Sequence, residues 1–317
     1  MSSMRWIGVA WHTLAVFGDD ITEPILYRLP ETDDTYAAVF DFAVTSDGYV
    51  WYPLSRFDMT GNKLVRIDPM NVRVAPVVLD LGDDAPSPFN VFADSQWLYV
   101  LSKYSLTESE LMRISLNDLS NREKLTLPAD GGGIFGVMAI GQTENTVRLG
   151  VRLFEAFALV DLDTFSLQGM LNNSTLGGQI RFSGKLNAFV RMSGGAYLIG
   201  AELPLELQEI QPPPPTEYVD RFGRFPSNGN FDLDTVGGLA VSLIHPGDKL
   251  AVMDLETNEW KYVHELPKEV AGNVVNLGDD RFSLGGNLLY DITTDELIMP
   301  EGELFTECIQ IKPLPSK

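Results

Sequence analysis

The stretch Leu250-Ala-Val-Met-Asp254-Leu-Glu-Thr257 decides the fold of this chain, because its pattern returns several times along the sequence. An apolar run leads to an aspartate, and a turn-forming threonine or asparagine follows three residues later. Short apolar runs that end in turn residues are typical of β-strands entering hairpins. The clearest other copies place the key residue at Asp68, Ser115, Asp161 and Asp291.

The spacing of these copies indicates a repeated structural unit. The key positions 68, 115, 161, 254 and 291 are separated by 47, 46, 93 and 37 residues. The long gap is two periods, so we expect a degenerate copy at Tyr197-Leu-Ile-Gly200. We place a seventh copy at Ile25-Leu-Tyr-Arg-Leu-Pro30. The mean period of 43.5 residues is the size of a four-stranded propeller blade.

A second strand pair precedes each repeated hairpin, which gives four strands per period. One example is Asn90–Phe92 with Trp97–Leu101. The N-terminal copy has less chain before it, so the C-terminal run Phe305 to Ile311 is expected to supply its missing strand. We therefore predict one all-β domain over residues 1–317. It is a β-propeller of about seven four-stranded blades, closed by the C-terminal strand joining the N-terminal blade.

Composition excludes several classes of function. The 317 residues include 44 acidic and 23 basic ones, a net charge of −21, which argues against nucleic acid as a partner. No apolar run is long enough for a membrane-spanning helix, so no membrane partner is expected. The one cysteine, Cys308, excludes an intrachain disulfide. We favour a cytoplasmic location or one within a particle; the compartment and the oligomeric state stay open.

One insertion interrupts the repeats. Residues 212–215 are four consecutive prolines, and a stretch rich in Gly, Asn, Asp, Phe and Arg follows. Proline lacks the N–H group that a sheet ladder needs. We therefore interpret 211–235 as a projecting loop, which is either functional or disordered. Its residues that combine cationic and aromatic character, the types enriched at binding hot spots, are Arg221, Phe222, Arg224 and Phe225.

Chemistry-bearing residues give weaker patterns. We expect the repeated aspartates to cap turns by accepting backbone N–H groups. The histidines, His12, His245 and His264, lack the spacing of a zinc site. No resident cofactor is predicted. The one metal candidate, for calcium, has oxygen side chains at alternate positions: Asn228, Asn230, Asp232 and Asp234. An EF-hand loop would need Gly at 233 and Glu at 239, and both are leucine.

Two stretches resemble known propeller families. Asp47-Gly-Tyr-Val-Trp51 followed by Asn62-Lys-Leu-Val-Arg-Ile-Asp68-Pro resembles a blade of the streptogramin-lyase and NHL-type propellers. Asp254 to Trp260, with Leu266-Pro267, and Gly285-Gly286 before Asp291 resemble kelch blades. Together these cover about 75 residues. The kelch glycine pair and tryptophan do not recur in every copy, and the lyase's catalytic histidine and acid match no motif here. The resemblance therefore implies a fold and carries no site residue.

Three functions fit such a propeller. We favour a non-enzymatic binding or assembly protein that presents loops to a protein partner, with a component of a larger cellular or viral particle as one form of it. The first alternative is an enzyme, a lyase or hydrolase with its site at the central channel. The second is carbohydrate binding through exposed Trp and Tyr. The fold alone does not choose among them.

Overall fold

The structure is a computed structural model, and it describes residues 6–10, 12–18, 25–30, 41–54, 62–82, 88–103, 108–128, 137–142, 146–153, 156–172, 179–192, 196–210, 227–244, 248–267, 270, 274–278, 280–285, 288–299 and 310–315. Every regular element in these ranges is a β-strand, and none of them contains a helix that could cross a membrane. The chain divides into two compact units. The first unit is Met1–Gly136 with Glu301–Lys317, and the second is Val137–Pro300.

The first unit contains three four-stranded antiparallel sheets. Sheet 1 has the order β28 (Gln310–Pro313), β1 (Trp6–Ala10), β2 (Thr13–Phe17) and β3 (Ile25–Arg28). Sheet 2 consists of β4 (Ala43–Val44), β5 (Val50–Leu54), β6 (Lys63–Ile67) and β7 (Val77–Asp80). Sheet 3 consists of β8 (Pro88–Ala93), β9 (Trp97–Lys103), β10 (Glu108–Ser115) and β11 (Arg122–Pro128).

The second unit contains four sheets of the same kind. Sheet 4 is β12 (Val137–Gln142), β13 (Val147–Arg152), β14 (Ala156–Asp161) and β15 (Ser166–Asn172). Sheet 5 is β16 (Ile180–Ser183), β17 (Ala188–Met192), β18 (Ala196–Gly200) and β19 (Leu207–Glu209). Sheet 6 is β20 (Ser227–Leu233), β21 (Leu239–Ile244), β22 (Lys249–Asp254) and β23 (Glu259–Glu265). Sheet 7 is β24 (Val275–Asn276), β25 (Arg281–Gly285), β26 (Leu288–Asp291) and β27 (Glu296–Ile298).

The repeated hairpin marks the third strand of each of sheets 2 to 7, as the sequence pattern predicts. Strands β6, β10, β14, β18, β22 and β26 end at or just before the key position. The degenerate copy at Tyr197–Gly200 is confirmed as β18. The placement of the seventh copy is wrong, because Ile25–Pro30 contains the fourth strand of sheet 1, β3, and the third strand is β2. The burial explains the error: Ile25 and Leu26 are about half exposed, whereas Leu14 to Phe17 are buried.

The predicted union of the chain ends is confirmed. Strand β28 pairs antiparallel with β1, with Val9 opposite Gln310 and Trp6 opposite Pro313. This pairing gives the N-terminal sheet its first strand. The expected run began at Phe305; residues 300–309 lie outside the described part of the chain, and with them Cys308.

Within each unit, apolar side chains fill the space between consecutive sheets. In the first unit, one core cluster combines residues of sheets 1 and 2, such as Ile7 with Tyr52. A second combines residues of sheets 2 and 3, such as Trp51 with Val100. Successive residues of a strand point to opposite faces, so Trp51 and Tyr52 pack against different neighbours. This is why all five residues of β5 are buried.

The second unit repeats this layering with three clusters, one between each pair of consecutive sheets. Close packing between sheets 4 and 5 requires a glycine. A Cβ atom at Gly150 would lie 2.6 Å from Phe189 Cε1 and 2.9 Å from Phe157 Cε2. The rings of Phe157 and Phe189 are 5.2 Å apart, in a tilted arrangement typical of aromatic pairs.

Candidate functional site

Asp41 links three sheets of the first unit through one buried carboxylate. Its Oδ1 accepts hydrogen bonds from the backbone N–H of Phe42 at 2.9 Å and from Lys312 Nζ of β28 at 3.0 Å. Its Oδ2 accepts from Asn90 Nδ2 and from the N–H of Val91 on β8, both at 3.1 Å. The first strand of sheet 2 is thereby tied to the first strands of sheets 1 and 3.

Asp232 repeats this arrangement in the second unit. Its Oδ1 accepts from the N–H of Leu233 at 3.0 Å and from Arg181 Nε of β16 at 2.9 Å. Its Oδ2 accepts from the N–H of Asn276 on β24 at 2.9 Å. In both cases the carboxylate binds the next residue's N–H, a cation of the preceding sheet and a backbone N–H of the following sheet. We call the groups around Asp41 and Asp232 the two interblade clamps.

The second clamp bears directly on the calcium candidate. Both Asp232 oxygens already accept hydrogen bonds, and Asp234 Oδ1 accepts the N–H of Leu239 at 2.7 Å to fix the next turn. The side chains of Asn228 and Asn230 lie outside the described residues, although their backbone belongs to β20. In the ranges that the structure describes, no three His, Cys, Asp or Glu side chains group as a metal site would require. The site remains a prediction that the two described aspartates do not support.

The repeated aspartates cap turns as expected. Asp161 Oδ1 accepts the N–H of Thr164 at 2.8 Å, and Asp254 Oδ1 accepts the N–H groups of Glu256 and Thr257 at 3.0 and 3.1 Å. Asp291 does the same for Thr293 and Thr294. Burial opposes ionisation of Asp254. The two turn N–H groups and Lys261 outweigh burial, so the pKa of Asp254 is lowered.

Two arginines are buried in the second unit. Arg152, at the end of β13, and Arg191, on β17, lie on strands whose Gly150 and Phe189 touch between sheets 4 and 5. Burial lowers the pKa of Arg152 to about 10, and the charge of Arg191 adds to this effect. Burial likewise lowers the pKa of Arg191 to about 10, against the opposing influence of Tyr197, whose ring centroid is 5.0 Å from the guanidinium. Both side chains therefore stay charged at neutral pH.

A histidine, a carboxylate and two tyrosines meet between sheets 6 and 7. His264 Nε2 of β23 lies 2.7 Å from Asp295 Oδ1, and Tyr290 Oη donates to the same oxygen at 2.8 Å. The centroid of the His264 ring lies 6.1 Å from that of Tyr262 and 5.6 Å from that of Tyr290. The sequence pattern missed this group because its members come from two repeats. We call these four residues the Tyr262–Asp295 cluster.

Exposed apolar side chains occur at the turn between β6 and β7. Met70 and Val74 are 51% and 56% exposed, and Val78 on β7 is 40% exposed. The turn backbone is nonetheless well bonded: Asp68 Oδ1 accepts the N–H of Met70, and the N–H of Val74 donates to the carbonyl of Asn71 at 2.9 Å. We call residues 68–76 the β6–β7 turn.

The predicted partner-binding residues Arg221, Phe222, Arg224 and Phe225 lie outside the described residues, as does His245. Of the predicted loop 211–235, residues 227–233 form strand β20, and Phe231 within it is fully buried. The loop interpretation therefore stays a prediction for residues 211–226.

Comparisons with known proteins concern the fold. No protein-family model matches the chain, and no curated protein matches it. Among solved structures, the β-propeller domain of Cps50 (Swd1) from Myceliophteria thermophila is 12% identical with a TM-score of 0.54, covering 93% of this chain and 95% of that one. A chain of Kuenenia stuttgartiensis hydrazine synthase is 10% identical with a TM-score of 0.56, covering 92% and 90%. A chain of a mitotic checkpoint complex is 8% identical with a TM-score of 0.53, covering 87% and 77%.

These similarities confirm the predicted fold class. The chain is an all-β protein of the β-propeller class, with seven four-stranded antiparallel sheets as its blades and the C-terminal strand completing the first of them. At identities of 8–12% the likeness extends to the fold and no further.

Proposed function

We propose that this chain is a non-enzymatic binding propeller that presents turns and loops of its blades to a protein partner. The observation that carries the proposal is the β6–β7 turn, where Met70 and Val74 are more than half exposed on a hydrogen-bonded backbone. Because the backbone of this turn is already ordered, a partner that covers these side chains does not have to order the turn itself, which lowers the entropic cost of binding. Contiguous exposed apolar surface marks interaction sites, and Met70 and Val74 are four positions apart on one turn.

The similar solved structures are compatible with this role. The fold serves a protein assembly in the mitotic checkpoint complex, and it also occurs in hydrazine synthase. The role that we propose for this chain is of the first kind, binding within a protein assembly. We further propose that segment 211–226, with Arg221, Phe222, Arg224 and Phe225, adds a second contact, and that the chain acts within the cytoplasm or a larger particle. The hairpins that resemble kelch and NHL-type blades support a propeller fold, but they do not identify a partner.

The test is affinity capture from the native source with mass spectrometry, using three variants of the full chain. The double variant Met70→Ser and Val74→Ser removes the exposed apolar groups and is expected to lose a partner that the parent chain captures. The matched control is Val236→Ser with Met299→Ser, two apolar residues of the second unit that are at least as exposed, and it should retain the partner.

The third variant deletes residues 212–226. The deletion ends before Ser227 because β20 carries the buried Phe231 and the clamp residue Asp232. Loss of capture with an unchanged melting temperature would place a contact in this segment. If the parent captures no protein, or if capture survives both the turn variant and the deletion, the binding proposal is wrong.

A further inference from the structure

We propose that the Tyr262–Asp295 cluster binds an arginine side chain of the protein partner, with the guanidinium on the Asp295 carboxylate and against the Tyr262 ring. This inference rests on the proposed binding function and assigns one contact within it. It concerns blades 6 and 7 of the second unit, and is therefore separate from the β6–β7 turn of blade 2.

The carboxylate of Asp295 is held in a fixed orientation. Its Oδ1 receives one hydrogen bond from His264 and one from Tyr290, at 2.7 and 2.8 Å. Asp295 itself has the left-handed backbone conformation, with φ of 59°. The side chain is nevertheless 33% exposed, and Oδ2 accepts no hydrogen bond from the described residues. A preoriented and partly exposed carboxylate can accept a further hydrogen bond from a charged donor.

A series of neighbouring aromatic rings extends from the core of blade 7 to the exposed Tyr262. Phe282 and Tyr290 are fully buried and 6.5 Å apart, His264 follows at 5.6 Å, and Tyr262 ends the row at 6.1 Å with 41% of its surface exposed. Burial, together with the Asp295 carboxylate, raises the pKa of Tyr290, so its hydroxyl keeps the proton that it donates. Tyr262 is thus an exposed ring beside buried aromatic side chains.

The charges of the region favour a cation as the ligand. The nearby lysines are directed elsewhere: Lys261 Nζ lies 3.4 Å from Asp254, and Lys249 Nζ lies 3.1 Å from Asp248. The whole chain carries a net charge of −21, which attracts cations and repels anions. A guanidinium fits better than an ammonium, because its planar fork can donate to a carboxylate while its face stacks on an aromatic ring.

The experiment uses the intact chain with selectively ¹³C-labelled tyrosine rings, and the Tyr262 signal is assigned from a Tyr262→Phe spectrum. The probe is the peptide acetyl-Gly-Arg-Gly-amide, compared with counterparts containing lysine or the uncharged isostere citrulline. We expect a saturable shift of the Tyr262 signal with the arginine peptide and none with citrulline. Asp295→Asn should weaken binding about two- to fivefold, since it removes the charge from the pair.

Glu296→Gln is the matched control, since it removes the same charge one residue away, and it should change the affinity less than twofold. The proposal is overturned by equal shifts for arginine and citrulline, by no saturable shift, or by equal weakening in the two charge variants. A shift caused by a neutral glucose oligosaccharide but not by the arginine peptide would also overturn it, in favour of saccharide binding. Because the peptide is defined, these results do not depend on whether a partner is captured.

Discussion

Replacing Asp41 by alanine removes the acceptor for four hydrogen bonds at once. Two come from the backbone N–H groups of Phe42 and Val91, and two from the side chains of Asn90 and Lys312. The carboxylate is 11% exposed, so water reaches the vacated position poorly. Loss of these hydrogen bonds affects all three blades of the first unit, because the carboxylate belongs to blade 2 and its donors come from blades 1, 2 and 3.

The expected cost follows from these contacts. Hydrogen bonds to a charged group contribute about 1.5–3 kcal/mol each, and breaking a buried ion pair costs about 3–5 kcal/mol. The contributions are not additive, and Lys312 is about one-third exposed, which reduces its share through solvent screening. We therefore expect Asp41→Ala to lower the free energy of unfolding by about 3–4 kcal/mol. Lys312→Met leaves the other three bonds to Asp41 but also removes the bond from Lys312 Nζ to the carbonyl of Phe42, and should cost about 1–2 kcal/mol.

Equilibrium urea unfolding followed by tryptophan fluorescence suits this prediction. Four of the five tryptophans, Trp6, Trp11, Trp51 and Trp97, belong to the first unit. The control is Asp68→Ala, which removes one hydrogen bond to the N–H of Met70 in an exposed turn and should cost about 1 kcal/mol or less. If Asp41→Ala costs no more than Asp68→Ala, the clamp does not stabilise the blades and our reasoning fails.

Three further predictions concern the second unit. Asp232→Ala should cost about 3 kcal/mol in the same urea assay, because it leaves Arg181 Nε and the N–H groups of Leu233 and Asn276 without their acceptor; a cost below 1 kcal/mol would contradict the clamp. Gly150→Ala should lower stability by about 1–3 kcal/mol through overlap with Phe189, whereas Gly184→Ala, with open space around its Cβ position, should change it by less than about 0.5 kcal/mol. The pKa of Asp254 is lowered in the folded chain, so its ionised carboxylate stabilises the fold at pH values above its unfolded pKa of about 4. This stabilisation is lost as the pH falls through the folded pKa. Asp254→Asn should therefore destabilise the chain more at pH 7 than at pH 3, and equal effects would refute this.

The sequence predicts the blades because their strand and turn signals are local. Asp47-Gly48 directs a hairpin: Gly48 has φ of 84°, and Asp47 accepts a hydrogen bond from the hydroxyl of Thr45. The apolar run before Asp254 forms β22, and the aspartate bonds the turn that follows. Each of these interactions joins residues fewer than five positions apart, so a pattern in one stretch is sufficient to reveal it.

The clamps could not be predicted in the same way. Asp41 meets Val91 after 50 residues and Lys312 after 271. Within the sequence, Asp41 is one acid next to an apolar run, and Asp232 is indistinguishable from a metal ligand because oxygen side chains flank it at alternate positions. The Tyr262–Asp295 cluster was missed for the same reason, since its histidine and its carboxylate belong to different blades.

The wrong placement of the seventh copy, near the N-terminus, has a different cause. Ile25 to Arg28 has the apolar character of a third strand, but β3 is an outer strand with two half-exposed apolar residues. The sequence pattern shows which residues are apolar but not whether they are buried. An outer strand with exposed Ile and Leu therefore has the same pattern as a buried third strand. The true third strand, β2, ends at Phe17 and lacks the turn aspartate at the key position, where Gly18 stands.

The most direct test of the architecture is a disulfide across the pairing of the two chain ends. In a Cys308→Ser background, Val9→Cys with Gln310→Cys places two thiols at directly opposed positions of β1 and β28, within the reach of a disulfide. Mild oxidation should give a faster band on a non-reducing gel that a reductant removes. In the offset pair, Val9→Cys with Ile311→Cys, the two side chains lie on opposite faces of the sheet, and no crosslinked band is expected. No crosslink in the first pair, or equal crosslinking in both, would contradict a propeller whose first blade is completed by the C-terminal strand.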